Sequence, residues 1–369
     1  MNSRTSVLMM PLSTLYRAVT QARLAAYRSG IFRTSKLPAA VISVGNITTG
    51  GTGKTPLVEW VCRTIAGVNV ETNAEPQAQV QKKICVLTRG YGKSNPSDQV
   101  LVSDGSRLMV DERNAGDEAQ LLANNLLGIA AVISNPDRVA AGEWAIPNLG
   151  TEVFVLDDGF QHLRIARDLD IVTVDATNPF GGGELLPNGR LREPLGGLSR
   201  ADCIVITRAD QADDVGSVKN AVRRNAGDRP VFVSRMVTSG LRRLNGEMFE
   251  AADSVDYPVA AFCGVGNPGS FLTQVRHAGL EVSFSRAFPD HYRYSQPDID
   301  ALINQAKAVG AKALITTAKD ATKLATVNIS IPCYVLEIQI SIDDDERLVE
   351  MIKTASSSID PSNRRQNKA

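Results

Sequence analysis

An apolar run, AAVISVG (39–45), passes without a break into Asn46-Ile-Thr-Thr-Gly-Gly-Thr-Gly-Lys-Thr-Pro56, and a helix-like stretch, 56–65, follows. A strand, a glycine-rich bend and a helix in that order make a phosphate-binding loop. Gly50, Gly51 and Gly53, with Thr52 among them, let successive backbone N–H groups wrap phosphate oxygens. Lys54 then reaches the β- and γ-phosphates, and the Thr55 hydroxyl is placed to bind Mg²⁺. The strict spacing asks for glycine at position 48, where this chain has Thr48; the paired glycines can supply the turn instead. The bland alternative is a surface glycine loop with an idle lysine.

The surroundings suit such a loop. Short, continuous apolar runs recur at ICVLT (84–88), IAAVIS (129–134), VFVLD (153–157), DIVTVD (170–175) and CIVIT (203–207), with helix-like stretches such as 117–127 between them. Continuous rather than alternating apolar strands predict a parallel sheet covered by helices on both faces. A second series, VFVS, VAAFCGV, ALITT and CYVLEI, begins near residue 229. The expected fold is α/β: a P-loop NTPase-like parallel sheet over residues 39–228, a smaller α/β domain over 229–355 with a connecting stretch near 229–256, and a frayed polar tail at 356–369.

Composition excludes several classes. Forty Lys and Arg balance forty Asp and Glu, so the basic excess expected of a nucleic-acid binder is missing. With 43% hydrophobic and 22% charged residues, the chain is not bulk-disordered. Cys62, Cys85, Cys203, Cys263 and Cys333 are odd in number, scattered and never spaced CxxC. That arithmetic fits neither a disulfide framework nor a zinc knuckle, and implies buried small hydrophobes in a reducing compartment. No stretch reaches 18 apolar residues, and Val-Leu-Met-Met near the start is too short for a signal peptide.

Overall neutrality hides a basic N-terminal arm, residues 1–38: the first acidic residue is Glu59, preceded by Arg4, Arg17, Arg23, Arg28, Arg33, Lys36 and Lys54. On a helical wheel Leu12, Leu15, Tyr16, Val19, Ala26 and Tyr27 share a face, with Arg17, Gln21 and Arg28 opposite and Arg23 intruding. Residues 12–28 thus read either as an interfacial helix on an anionic membrane or as a helix packed on the protein's own core.

Chemistry-bearing residues lie further on. The run at 153–157 ends in Asp157-Asp158, matching the acidic strand end that helps hold Mg²⁺ in P-loop enzymes, although Asp-Asp-Gly is also an ordinary turn. Asp117 and Glu118 open a helix, where acids are commonplace. His291 in FPDHY (288–292) is weak evidence alone, and His277 reads as helix surface.

Together these pieces resemble the tetraacyldisaccharide 4′-kinase family of lipid A biosynthesis. GGTGKTP (50–56), TRGYG (88–92), GDE (116–118), DDGFQH (157–162), LPNGRLREP (186–194), GVGNP (264–268), FPDHY (288–292) and KDATKL (319–324) occur in the family's order. The resemblance implies transfer of the ATP γ-phosphoryl to the 4′-hydroxyl of a tetraacylated glucosamine disaccharide 1-phosphate, with Mg²⁺, by a peripheral enzyme of the bacterial inner membrane's cytoplasmic face. It implies Asp117 as general base, His291 as its partner, Lys54 and Thr55 on phosphates and Mg²⁺, and Asp157 and Asp158 at the metal. Glu118, Gln161 and His162 fall beside them. Arg190 and Arg192 lie in a motif near the site, where a guanidinium can clamp substrate phosphate. Ala318 departs from the acidic residue expected before Lys319-Asp320.

Three other readings compete, one of them a non-enzymatic, membrane-bound scaffold that uses nucleotide only as structure. A partitioning-type ATPase would carry lysine where this chain has Thr49. A GTPase would read guanine through [NT]KxD, which Thr207-Arg208-Ala209-Asp210 imitates with arginine for lysine. Acyl-chain preference and oligomeric state have no short motif.

Overall fold

The computed structural model describes residues 3–68, 82–244, 246, 248–249, 255 and 258–357. The arm is one helix, α1 (Ser3–Arg28). β1 (Ala40–Asn46) leads through the glycine loop into α2 (Lys54–Ala66). There follow β2 (Ile84–Thr88), β3 (Val100–Ser103), α3 (Glu112–Ala115), α4 (Asp117–Asn125), β4 (Ala130–Ser134), α5 (Arg138–Leu149), β5 (Val153–Asp157) and β6 (Leu169–Asp175). The chain continues through β7 (Cys203–Thr207), α6 (Val215–Ala226), β8 (Val231–Arg243), β9 (Met248–Phe249) and β10 (Val259–Cys263). It ends with α7 (Pro268–His277), β11 (Val282–Ala287), α8 (Gln296–Ala308), β12 (Ala313–Thr317), α9 (Ala318–Ala321), β13 (Cys333–Asp343) and α10 (Glu346–Ser357).

The strands join in the order β11-β10-β12-β13-β8-β7-β6-β1-β5-β2-β4-β3, with β9 on β8. Pairing is parallel except at β8/β13, β3/β4 and β8/β9. Strands β1, β2, β4, β5, β6 and β7 are buried at every residue. Helices on both faces require this, because neither side of such a strand meets water. On one face α2, α4 and α10 share a core with Ile42, Val44 and Val155; on the other, α5 packs over Val41, Leu87 and Phe154.

Strands β10–β12 surround a second core built on Phe262, Leu302 and Leu314. The two bodies meet through β8 and β13, an antiparallel pair running from Arg243↔Tyr334 to Val233↔Asp343. β7 reaches β8 only at residues 231–233, and β12 reaches β13 only at 333–336. The expected connecting stretch is therefore largely this long strand, and part of 245–257 lies outside the described residues. Helix α10 falls within the span assigned to the second unit, yet it returns to the first core through Leu348, Ile352 and Ala355. The expected frayed tail lies outside the described residues from 358 onward, and Ser356 and Ser357 complete α10.

Parallel strands place their carboxyl ends together, and ligand crevices open where connections diverge to either side. β1, flanked by β5 and β6, carries the glycine loop at that end. β10, flanked by β11 and β12, carries Gly264–Pro268 there. A Cβ on Gly266 would stand 3.2 Å from the Gly51 amide nitrogen, so the two loops touch.

Candidate active site

The glycine loop owes its shape to both ends. Gly50 (φ 108°) and Gly53 (φ 75°) lie in the left-handed region that glycine tolerates. Thr48 instead forms an antiparallel bridge with Leu191, an extended conformation that suits a β-branched residue. This explains how the chain dispenses with glycine there. Buried Asn46 donates from Nδ2 to the Thr48 carbonyl (2.7 Å) and to Thr52 Oγ1 (3.0 Å), which also meets Thr173 Oγ1 at 2.9 Å. Lys54 and Thr55 open α2, so the loop's free N–H groups coincide with the helix's positive end.

Across the loop, the adjacent aspartates have different partners. Asp157, the last residue of β5, accepts from Thr88 Oγ1 at 2.9 Å. Burial, together with the Glu118 and Asp158 carboxylates, pushes Asp157 up to about 6. Asp158, at φ 51°, lies 3.5 Å from Lys54 Nζ and accepts from Arg192 Nη1 at 2.8 and 2.7 Å. Burial opposes its ionisation, but Lys54 and Arg192 hold it well below the usual carboxylate range. Arg138, itself buried, donates to the Asp158 carbonyl at 3.0 Å.

Behind this pair, Gln161 donates from Nε2 to the Asn46 carbonyl and to Glu193 Oε1, both at 2.8 Å. Glu193 is 1% exposed and takes Arg200 Nη2 at 2.6 Å. His162 buries Nε2 without a hydrogen-bond partner among the described residues. Burial and the nearby Arg138 and Arg164 push its imidazole down to about 4, so it is neutral at physiological pH.

The third cluster joins the two bodies. His291 Nδ1 lies 2.8 Å from Asp117 Oδ2. The same oxygen has Lys323 Nζ at 3.3 Å and Lys319 Nζ at 3.7 Å, while Oδ1 accepts the Glu118 N–H at 2.9 Å. Burial alone would raise Asp117, yet the His291 contact and the two ammoniums hold it well below the usual range. Lys319 is itself drawn toward Glu118 (3.4 Å) and Asp290 (3.3 Å). Tyr91, from the TRGYG loop, lies against His291 with ring centroids 4.8 Å apart.

One cavity of about 1260 Å³ collects these groups, with Lys54, Asp157, Asp158, Arg192, Glu118 and His291 in its wall. Gln161, His162 and the loop residues 50–55 line it as well, and Asp117 sits just behind, 3% exposed. Arg190 does not join them: its exposed side chain borders a separate depression beside Gly50 and Asn267, and its carbonyl accepts the Thr49 N–H at 2.8 Å. Glu193, Arg138, Lys319 and Lys323 were not assigned from sequence. Glu193, Lys319 and Lys323 lie inside quoted motifs, but nothing in those strings says what each faces. Ala318 lines the cavity as a bare methyl. All five cysteines are buried, and burial raises every thiol. His277 is exposed at the end of α7.

The N-terminal helix borders the same cavity. Tyr16 Oη donates to the Arg192 carbonyl at 3.0 Å, and Arg23 to the Gln161 carbonyl at 3.2 Å. Leu12, Leu15 and Val19 remain 50%, 61% and 59% exposed. The apolar row is thus not spent on the protein's own core. Among the described residues no helix is long and apolar enough to cross a membrane.

Known proteins are similar to this chain in sequence and in fold. A family profile described as tetraacyldisaccharide-1-P 4′-kinase matches residues 5–357. A tetraacyldisaccharide 4′-kinase of Anaeromyxobacter sp. is 40% identical over 337 residues, covering 89% of this chain and 85% of its own. That of Geobacter metallireducens is 39% identical over 321 residues, covering 87% and 89%. A crystal structure of LpxK from Aquifex aeolicus in complex with ATP superposes with a TM-score of 0.75 at 29% identity, over 95% of this chain and 99% of that one. Asp210, the residue that would read a guanine base in the GTPase reading, is occupied by the Met236 N–H and Gln274 Nε2. With a family profile matching residues 5–357, relatives 39–40% identical over most of both chains, and the glycine loop, acidic strand end and His291 in one cavity wall, the chain belongs to the tetraacyldisaccharide-1-phosphate 4′-kinase family.

Proposed function

We propose that the cavity seats the ATP triphosphate on residues 50–55 and brings the 4′-hydroxyl of a tetraacylated glucosamine disaccharide 1-phosphate to Asp117 and His291. The observation that carries this reading is the 2.8 Å Asp117–His291 contact, made between the two bodies beside the Lys54 loop.

Lys54 and the loop amides take charge developing on the phosphates, which in a loose phosphoryl transfer outweighs early deprotonation. Mg²⁺ would add charge neutralisation at the β- and γ-oxygens. Asp157 and Thr55 would hold it: burial and the neighbouring Glu118 and Asp158 carboxylates raise Asp157 against the pull of Lys54 and Arg138. Asp158, now paired with Lys54 and Arg192, would supply a second carboxylate beside it. Among the described residues no three His, Cys, Asp or Glu side chains are gathered for a metal, consistent with an ion held by one or two carboxylates, phosphate and water.

Asp117 aligns the sugar hydroxyl and receives its proton as the oxygen bonds to phosphorus and ADP leaves. Its low basicity makes it a poor final resting place, and the His291 contact lets the proton be shared onward. Arg192 and Arg138 are guanidiniums in the cavity wall beside Asp158, whereas Arg190 borders the separate depression.

The row Leu12, Leu15 and Val19, with Ile31 and Phe32 beyond the helix, is exposed, and Val19 also borders the cavity. That surface, with Arg17 and Arg28 nearby, fits the cytoplasmic face of an anionic inner membrane, from which a lipid substrate enters sideways. The second body is a separate domain whose approach completes the site.

Incubation with labelled ATP, with and without detergent-dispersed lipid disaccharide, tests the reading. Acceptor-dependent phosphorylated lipid is expected, and its loss in Lys54→Ala. Phosphate release independent of acceptor would favour the switch ATPase instead.

A further inference from the structure

Thr207-Arg208-Ala209-Asp210, the segment that imitates a guanine-reading loop, lies behind the phosphate loop and grips its carbonyls. Arg208 adopts φ 57° and donates from Nη1 to the Gly51 carbonyl at 2.7 Å. The same nitrogen is paired with the Asp175 carboxylate, and both side chains are nearly buried, at 12% and 8% exposure. Thr207 Oγ1 donates to the Thr52 carbonyl at 2.8 Å.

In a trans peptide the carbonyl of one residue and the N–H of the next point in opposite directions. Drawing the Gly51 carbonyl back therefore turns the Thr52 N–H forward, and drawing the Thr52 carbonyl back turns the Gly53 N–H forward. We propose that Thr207 and Arg208 are positioning residues of the phosphate loop, which set two of its N–H groups toward the nucleotide before it arrives. This deepens the functional reading above and rests on residues 50–55 being the phosphate site.

The loop needs such a brace because three glycines leave it many conformations, and ordering them on binding would cost affinity. The brace is itself tied down by hydrogen bonds. Asp175 Oδ1 accepts the Thr177 N–H at 3.0 Å and the Thr177 hydroxyl at 2.7 Å. Asp210 accepts the Met236 N–H at 2.9 Å and Gln274 Nε2 at 2.8 Å, which ties the segment to β8 and to α7 of the second body. Met236 also closes the loop's rear, since a Cβ on Gly53 would meet its Cε at 2.9 Å. A planar guanidinium suits the Arg208 position, because it holds a carbonyl and a carboxylate in fixed directions where an ammonium would hold them loosely.

The test uses the full-length protein and Mg²⁺ with a non-hydrolysable ATP analogue, titrated calorimetrically into Arg208→Ala, Arg208→Lys, Thr207→Val and Lys54→Ala, alongside ligand-free melting temperatures and steady-state kinetics. Arg208→Ala and Thr207→Val should each weaken the analogue by about tenfold, the scale of one lost hydrogen bond in a charged setting. KM for ATP should rise by a similar factor with a smaller change in kcat. Arg208→Ala should also lower the ligand-free melting temperature by stranding the Asp175 carboxylate. Thr207→Val should leave it near wild type and so isolates the binding effect, and Arg208→Lys should fall between wild type and Arg208→Ala. Near wild-type affinity in both variants, while Lys54→Ala loses binding, overturns the brace and leaves the phosphate loop standing. Weaker binding that only follows a fallen melting temperature, with no recovery in Arg208→Lys, also overturns it. Undiminished affinity in Lys54→Ala overturns the loop reading itself.

Discussion

Asp117 and His291 sit 174 residues apart in the chain, yet Nδ1 of the histidine and Oδ2 of the aspartate are 2.8 Å apart. The aspartate opens α4 in the first body, and the histidine follows β11 in the second. Replacing Asp117 with Asn, which keeps its shape and removes its charge, should lower kcat by about 100-fold or more, the usual span for a lost acid–base group. His291→Ala should lower kcat less while leaving KM for ATP nearly unchanged. Steady-state rates at saturating ATP and lipid decide this; near-normal turnover in either variant removes that residue from proton transfer.

Gly116 places Asp117. Its φ of 88° and ψ of 146° are open to glycine alone, and an added Cβ would stand 2.5 Å from the Tyr91 carbonyl. Gly116→Ala should therefore cost on the order of 1–3 kcal/mol of stability. Activity should fall further than melting temperature, because the strained turn shifts Asp117 and the Tyr91 loop together. Thermal unfolding beside turnover at a temperature where both proteins are folded separates the two effects.

Glu59, on α2, predicts a pH dependence of stability. Burial raises it from 4.5 to about 7, reinforced by Glu337 and opposed by the Asn125 hydrogen bond and Arg63. Since the folded value exceeds the unfolded one, its contribution is complete below pH 4.5 and is lost as pH rises through about 7. Glu59→Gln should flatten that part of the profile and add roughly 2 kcal/mol at pH 8. Denaturant melts of both proteins at pH 5 and pH 8 measure it, and an equal difference at both would exclude Glu59 as the source.

The apolar row on α1 predicts lipid attachment. Leu15→Asp with Val19→Asp should abolish co-sedimentation with anionic vesicles while leaving the melting temperature within a few degrees, because both side chains are more than half exposed. Charge reversal at Arg17 and Arg28 should weaken attachment by about 1 kcal/mol per residue and only on anionic lipid. Full vesicle binding by the aspartate variant would assign attachment elsewhere.

The strands that could be read from sequence are those buried on both faces. ICVLT and CIVIT begin and end where the apolar runs do, because no polar residue interrupts a strand covered on each side. Strand β11, VSFSRA, escaped notice: it alternates half-buried and exposed at the sheet's edge, and its pattern is too weak to mark a boundary. The site divides in the same way. The Lys54 loop is legible because its chemistry is local, and its strand and helix are adjacent in sequence. The grip of Lys323 on Asp117, or of Glu193 on Gln161 and Arg200, exists only once distant segments have folded together. Likewise Arg190 and Arg192, two residues apart, border different depressions, and the motif string cannot say which of them reaches the cavity.

Between residues 234–240 and 337–342 the sheet narrows to β8 and β13 alone, and their register slips at Glu337/Ile338. A neck of that width has little torsional rigidity beside the bodies it joins. The bodies are tied as well by Lys323 and His291 at Asp117, by Gln274 at Asp210 and by the approach of Gly266 to Gly51, so a rotation of the ribbon is opposed at the site itself. The geometry of the Asp117–His291 pair therefore depends on the set of this ribbon together with those cross-contacts.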